Sequence, residues 1–293
     1  MKLSAIVPAY NEEKTIGGCL DSLLDQTRPF DETVVVDNAS TDRTAEVVAD
    51  YATRSPTVRI VAEPAPGIFH ARRAGFDAAT GDVLARTDAD ARVSRDWAAA
   101  IEAHFADPPG EEFQVLSGPG LFGDGPPFDP LRMLVERSRL FREGGEGAGV
   151  IGPNMIMSAR AWRDIRDDLI DDDAIYEDVD VSHRLAAHGY KAWFSPQVAV
   201  EQSPRQLRHS PWQNRRYLVG GYRLARARHD RKLAALFVLE MPFRFALYTV
   251  YWLTFRPWDP GSRTWRPHRL FTRLERERPL ISDGREGGPT CGT

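Results

Sequence analysis

At 293 residues, 42% hydrophobic and 27% charged, the chain has the composition of a globular protein with a substantial core, as one large domain or a domain with an appendage. A formal net charge of −4 gives no whole-chain case for nucleic acid binding. The two cysteines, Cys19 and Cys291, stand far apart in sequence, which excludes a disulfide framework or a cysteine metal cluster and favours a reducing compartment.

The first element is "LSAIVPAY", an apolar run stopped by Pro8 in the manner of a buried strand leaving a sheet. No signal-like apolar stretch precedes Pro8, so a cytoplasmic catalytic part is expected. "NEEKTIGGCLDSLLDQT" follows as a helix, with Ile16, Cys19, Leu20, Leu23 and Leu24 at helical spacing and acids in its first turn. "ETVVVDNAS" predicts a second strand, and "TDRTAEVVADYATR" a second helix capped by Thr41 or Asp42. "VRIVAEP" is a third strand, "GIFHARRAGFDAATG" a third helix ended by Gly81, and "DVLARTDAD" a fourth strand. This alternation predicts an α/β fold with right-handed crossovers and a mostly parallel sheet covered by helices on both faces.

After about residue 106 the rhythm loosens. "DPPGEEF" and "LFGDGPPFDP" are turn-rich, and "EGGEGAG" (143–149) reads as flexible. "VIGPNMIMS" predicts a strand, "ARAWRDIRDDL" and "EDVDVSHRLAAHG" helices, and "KAWFSPQVAVEQ" further strand material. The end of the chain, 281–293, reads as a disordered tail.

Ligands of open parallel sheets bind outside the carboxyl ends of the strands. Strand one ends in Pro8, Ala9 and Tyr10, strand two in Asp37 and Asn38, and strand four in Asp88 and Asp90, so these residues share one edge. No Gly-x-Gly-x-x-Gly follows the first strand, which weighs against an ordinary dinucleotide site. A tyrosine, a lone carboxylate and a carboxylate pair suit a nucleotide base and a metal-bound diphosphate, because a hard cation takes one or two carboxylates and leaves its other positions to phosphate oxygens and water.

Five stretches carry a family resemblance: "VPAYNEE" (7–13), "VVVDNASTDRT" (34–44), "GIFHARRAGFDAATGD" (67–82), "TDADA" (87–91) and "YEDVDVSHRLAAHGY" (176–190). In this order the chain resembles the family 2 inverting glycosyltransferases of GT-A fold, a Rossmann-like architecture. The resemblance implies a nucleotide-diphosphate sugar donor, Mg²⁺ or Mn²⁺, and a glycan or lipid-linked acceptor. It assigns Pro8, Ala9, Tyr10 and Glu12 to the nucleotide pocket, Asp37 to the ring N–H of the base, and Arg72 to base or phosphate. Asp88 would touch the ribose and the metal's water shell, and Asp90 would ligate the metal. The "ED" pair makes Asp178 the general base, with Glu177 positioning the acceptor or the base. His209 is a candidate third metal ligand, although a solvated histidine fits the residue equally. Taken singly, Tyr10 also reads as a half-buried sheet-edge aromatic and Asp37 as a helix cap.

Two departures from the family pattern stand out. "ARRAG" has Arg73 where "ARNxG" is common, so a secondary contact in the pocket is expected to differ. "QNRRY" (213–217) resembles a Q-x-x-R-W signature, with Tyr217 in place of tryptophan; it would put Gln213, Arg216 and Tyr217 near the acceptor, while a polar helix turn is the plainer reading.

Residues 205–280 form a basic and apolar helical region distinct from the catalytic part, 1–204. Nine Arg and Lys residues between Arg205 and Lys232 face Asp230 alone, and "LAALFVLEMPFRFALYTVYWLTF" (233–255) follows. That run has the length of a membrane span, but Glu240, Pro242 and Arg244 lie near its middle. A segment resting on an anionic membrane surface is therefore expected, with the protein cytoplasmic and peripheral at the inner face of the cell membrane. A helix pair packed within the protein is the alternative. The rival functions are a nucleotidyltransferase of related fold, which would want a glycine-rich loop after strand one, and a non-catalytic membrane scaffold.

Overall fold

β-Branched runs alternating with helices that bury one stripe build the first half of the molecule. The computed structural model describes residues 1–127, 136–272 and 274; the expected tail, 281–293, lies outside them, as does Cys291. The chain divides into two compact units, Met1–Asp171 with Glu177–Arg205, and Asp172–Tyr176 with the chain from Gln206 onward.

In the first unit the order is β1 (Leu3–Ala9), α1 (Ile16–Leu24), β2 (Glu32–Asp37), α2 (Thr44–Arg54), β3 (Val58–Ala62), α3 (Ile68–Ala78), β4 (Val83–Arg86), β5 (Ala91–Val93) and α4 (Trp97–Ala106). It continues through β6 (Val115–Ser117), β7 (Gly120–Phe122), α5 (Arg139–Glu143), β8 (Gly145–Gly147), β9 (Met155–Ser158), α6 (Ala159–Ile165), α7 (Glu177–Ala187), β10 (Ala192–Phe194) and β11 (Val200–Gln202). Eight strands form one sheet in the order β3-β2-β1-β4-β9-β6-β10-β8. β1 pairs in parallel with β2 and β4, as do β2 with β3 and β6 with β10. β9 runs antiparallel to both of its neighbours, and β8 antiparallel to β10. β5, β11 and β7 make a second, three-stranded sheet.

The period-2 alternation of β1 splits the core between two faces. Leu3, Ala5 and Val7 pack with Ile16, Leu20 and Leu23 of α1 and Trp97 and Ile101 of α4. Ile6 packs on the other face with Phe76 of α3, Trp162 and Ile165 of α6, and Val181 and Leu185 of α7. Gly75 sets the approach of α3 to the sheet: a Cβ there would stand 2.5 Å from Ile6 Cγ2.

Several local expectations shift. α1 begins at Ile16, since the "NEEKT" segment is a loop held by Thr44 Oγ1, which accepts from the Glu12 amide at 2.7 Å. α2 starts at Thr44 with Arg43, rather than Thr41 or Asp42, in the N-cap position, and Asp42 Oδ1 accepts from the Thr44 amide at 2.9 Å. α3 stops at Ala78, and Gly81 instead donates its amide to Ser4 Oγ at 2.8 Å. β4 ends at Arg86, leaving both acids of "TDAD" in the following turn. The "EGGEGAG" stretch, expected to be flexible, contributes edge strand β8, because strand pairing there needs only backbone groups.

The second unit is helical: α8 (Arg215–Leu218), α9 (Gly220–Ala227) and α10 (Arg231–Phe255), then a hairpin of β12 (Trp258–Asp259) and β13 (Thr264–Trp265). Asp230 Oδ1 caps α10 by accepting from the Lys232 and Leu233 amides at 3.0 and 2.9 Å. Phe237 packs where Gly221 has no side chain; a Cβ on Gly221 would meet its ring at 2.3 Å.

Candidate functional site

The loops leaving β1 and β2 are stapled to each other, and this fixes the sheet edge. Asn11, at φ 53°, accepts from the Thr41 amide on Oδ1 at 2.7 Å and donates its own amide to Ser40 Oγ at 3.0 Å. Asn38 is 5% exposed; its Nδ2 donates to the carbonyls of Glu63 and Ala65 at 3.0 and 2.6 Å, and its Oδ1 accepts from the Gly67 amide at 2.9 Å. One asparagine thus ties the end of β2 to the loop that opens α3. Asn38 was placed at this edge by the sequence without a role, and Asn11 was not singled out; a short polar residue flanking a strand end was its only signal.

Along this edge the parallel register brings Pro8 and Ala9 of β1 opposite Val36 and Asp37 of β2. Tyr10 follows, 36% exposed. Asp37 accepts weakly from the Ser40 amide, at 3.4 Å. Asp88 and Asp90 lie in the turn between β4 and β5. The expected convergence of strand ends is thus present within the first unit.

Asp88, Asp90 and Glu12 are each matched by an arginine. Arg86, 0% exposed in β4, holds Asp88 Oδ1 with Nη2. Arg205 bridges two acids: Nε and Nη2 donate to Asp90 Oδ2 at 3.1 and 2.5 Å, while Nη1 and Nη2 donate to Glu12 Oε2 and Oε1 at 3.2 and 2.9 Å. Glu12 is 3% exposed and also accepts from Thr15 Oγ1 at 2.5 Å. Burial pushes the Asp90 carboxyl above its usual range and the Asp88 charge adds to this, while Arg205 pulls the other way. Burial works to lower the Arg205 value, but the hydrogen bonds and charges of Glu12 and Asp90 more than reverse it. Beneath the acids, the Cys19 thiol donates to the Asp88 carbonyl at 3.5 Å; burial and then the charges of Asp90, Asp88 and Glu12 push its pKa up, so it stays a neutral thiol.

Glu177 and Asp178 open α7. Glu177 forms an ion pair with Arg72 of α3, so Arg72 meets a carboxylate of the "ED" pair. The half-buried Asp178 accepts the Val179 amide on Oδ1 at 3.0 Å. Asp180 is 1% exposed and accepts the Ile170 amide on Oδ2 at 3.0 Å, a structural duty. Arg73 turns away from the edge: its Nη2 donates to Asp167 Oδ1 at 2.8 Å.

His209, Gln213, Arg216 and Tyr217 belong to the second unit. His209 is 8% exposed, and its carbonyl accepts from Asn214 Nδ2 at 3.1 Å. Gln213 folds back, Oε1 accepting from the Ser210 amide at 2.9 Å. Arg216 is exposed in the helical turn α8, and the Tyr217 ring lies 5.0 Å from that of Tyr176. Among the described residues no group of three or more His, Cys, Asp or Glu side chains is arranged to hold a metal ion. Glu12 and Asp90 nevertheless share one cation, the Arg205 guanidinium, so the donor chemistry between them suits a positive charge.

Comparison with known proteins adds to this geometry. The family model described as glycosyl transferase family 2 matches residues 4–165, and that of glycosyl transferase family group 2 matches residues 85–265. Among curated proteins, the uncharacterized glycosyltransferase EpsJ of Bacillus subtilis is 39% identical over 92 residues, which is 31% of this chain. That match spans only 27% of the length of EpsJ. Among solved structures, the mannosyltransferase PcManGT from Pyrobaculum calidifontis, in complex with GDP-Man and Mn²⁺, superposes with a TM-score of 0.63 at 25% identity, covering 85% of this chain and 73% of that one. S. aureus TarS 1-349 in complex with UDP-GlcNAc gives a TM-score of 0.57 at 21% identity, over 84% of this chain and 73% of that one, a likeness of fold.

Proposed function

The chain belongs to glycosyl transferase family 2 and has a GT-A fold, and on that premise we propose that it moves a sugar from a nucleotide-diphosphate sugar to an acceptor hydroxyl with inversion. The observation that carries this reading is the convergence of Tyr10, Asp37, Asp88 and Asp90 on one edge of the sheet, with Asp178 and the Arg72–Glu177 pair in the same unit. Tyr10 and Asp37 receive the base, Asp37 accepting a ring N–H; Pro8, Ala9 and Glu12 line that pocket.

Inversion in one step needs a base on the acceptor side. Asp178 takes the acceptor's hydroxyl proton as the acceptor oxygen bonds to the anomeric carbon. The bond from that carbon to the diphosphate breaks, and its electron pair leaves with the nucleoside diphosphate. Glu177, held by Arg72, orients the acceptor. When bound, Mg²⁺ or Mn²⁺ supplies positive charge against the diphosphate. Asp90 would hold it, with Asp88 at its water shell. The Mn²⁺ and GDP-Man in the PcManGT structure support both the cation and the donor class.

The second unit supports an acceptor presented at an anionic membrane surface, lipid-linked or part of a cell-envelope glycan. Thirteen Arg and Lys residues face five acids over residues 172–176 and 206–272. Among the described residues α10 is the one helix long and apolar enough to cross a membrane, with a mean hydropathy of 1.5. Its exposed residues from Ala235 to Leu253 are all apolar, among them Leu236, Leu239, Phe243 and Val250. The Thr249 and Thr254 hydroxyls are satisfied by the Phe245 and Val250 carbonyls at 2.8 and 3.0 Å, as burial in lipid requires. Near its middle Glu240 pairs with Arg244, and Arg244 lies 5.2 Å over the Phe237 ring. Charges and a proline in the middle of an apolar run are costly in lipid, which favours a segment resting at the interface over a span. The protein is then cytoplasmic and peripheral, at the inner face of the membrane. Gln213, Arg216 and Tyr217 are candidates for the acceptor side.

Thermal unfolding with UDP and GDP, each with and without Mn²⁺, tests the donor reading. A ligand that binds only the folded protein at about a hundred times its Kd adds about 2.7 kcal/mol of stability. One of the two is expected to raise Tm, and more so with Mn²⁺; no rise with either would overturn the nucleotide site.

A further inference from the structure

Asp88 and Asp90 are both neutralised by arginine, but by arginines in opposite surroundings. Arg86 is packed inside the sheet at 0% exposure and cannot leave Asp88 without opening the core. The Arg205 side chain is 31% exposed, lies three residues beyond β11, and reaches across 115 residues of sequence to Asp90 and 193 to Glu12. One partner is fixed and the other can withdraw.

From this asymmetry we infer that Arg205 is a resident counter-cation which occupies the cation place at Asp90 until a divalent metal takes it, so that metal binding and Arg205 release are one exchange. The inference rests on the reading of Asp90 as a metal ligand. Asp90 Oδ2 receives both Nε and Nη2 of Arg205; a divalent cation on the same oxygen would stand against a guanidinium at contact distance, and like charges there exclude one another. Nor does the Asp90 carboxylate stand uncompensated in either state, since burying an unpaired charge is costly. Arg205 retains a second partner in Glu12 while it lets go of Asp90, which makes release a pivot of the guanidinium rather than a loss of all its contacts. Asp88 stays with Arg86 throughout, so metal affinity depends on the Arg205 contact.

Titrating MnCl₂ into the full-length protein, followed by calorimetry and by the EPR signal of free Mn²⁺, tests the exchange without turnover. Arg205→Gln is expected to bind Mn²⁺ at least tenfold more tightly than wild type in the absence of nucleotide. Arg205→Lys keeps the charge but lacks the fork that spans Glu12 and Asp90, and should fall between the two. Equal or weaker binding by Arg205→Gln would overturn the exchange alone. Mn²⁺ that binds neither protein, with or without UDP or GDP, would overturn the metal reading and the exchange with it. Removing Arg205 also takes its guanidinium away from buried Glu12, so the wild type supplies an independent measurement. Arginine modification by phenylglyoxal, mapped by mass spectrometry, should rise at Arg205 when Mn²⁺ is added and stay low at Arg86. Unchanged or reduced labelling of Arg205 would count against the exchange.

Discussion

The α/β unit carries 33 Asp and Glu residues against 21 Lys and Arg, whereas the second unit carries five against thirteen over residues 172–176 and 206–272. The contrast extends to how charge is handled. In the α/β unit four of the candidate site acids are held by arginine, Asp88 by Arg86, Asp90 and Glu12 by Arg205, and Glu177 by Arg72. In the second unit cations outnumber acids, and the exposed side of α10 presents apolar side chains. Matched charges in a partly buried edge suit a small, highly charged ligand that must be gripped and released. An excess of one sign beside an apolar face suits an extended surface of the opposite sign.

The largest expected effect tests the chemistry of the first unit. Asp178→Asn keeps the shape and removes the base. Turnover should fall by about 10²–10⁴-fold, the range of general base catalysis, while nucleotide affinity measured by calorimetry stays as in wild type. Loss of donor binding in this variant would move Asp178 from the acceptor side into the nucleotide pocket.

The next effect concerns the second unit. Burying a Leu or Phe side chain contributes about 1.5–3 kcal/mol, so Phe243→Glu should weaken binding to anionic liposomes by roughly tenfold or more, at low and high salt alike. Changing Arg223, Arg226 and Arg228 to Glu should weaken it at low salt, because each cation near an anionic surface contributes about 1 kcal/mol and salt screens that attraction. A wild-type protein that sediments with liposomes after alkaline carbonate treatment would show a spanning helix instead. One that never binds them would make the exposed side of α10 a protein contact, and the acceptor soluble.

These two regions were unequally legible in sequence. Strand ends could be read because β1, β2 and β4 are apolar runs broken by polar residues, and parallel topology forces their carboxyl ends to one side. β9 and β10 fall within "VIGPNMIMS" and "KAWFSPQVAVEQ", which read as strand, whereas the three-residue β6 did not; runs this short carry no signal of pairing direction, so the antiparallel insertion of β9 between β4 and β6 was invisible. Arg86 sits in "LARTDAD", where an arginine reads as an outward-facing residue; only the fold turns it onto Asp88. Arg205 was counted with the basic C-terminal run, yet it belongs to the acidic unit, because an ion pair spanning 115 residues leaves no local trace.

The smallest expected effect sharpens the boundary of the donor site. The family pattern "ARNxG" carries asparagine where this chain has Arg73, which raised the expectation of an altered contact in the pocket. Arg73 instead points to Asp167, and the two side chains are 38% and 72% exposed. An ion pair so open to solvent is worth about 0–1 kcal/mol, and its partner lies in the 3-10 turn after α6 rather than at the sheet edge. Arg73→Asn should therefore lower the unfolding free energy by no more than about 1 kcal/mol in urea titrations and leave UDP or GDP affinity within twofold of wild type. Arg72→Asn, one residue earlier, breaks the pair with Glu177 and should reduce turnover. If Arg73→Asn instead changes nucleotide affinity several-fold while Arg72→Asn does not, the donor approaches α3 from the opposite side, and the pairing of Arg72 with Glu177 has no part in orienting the acceptor.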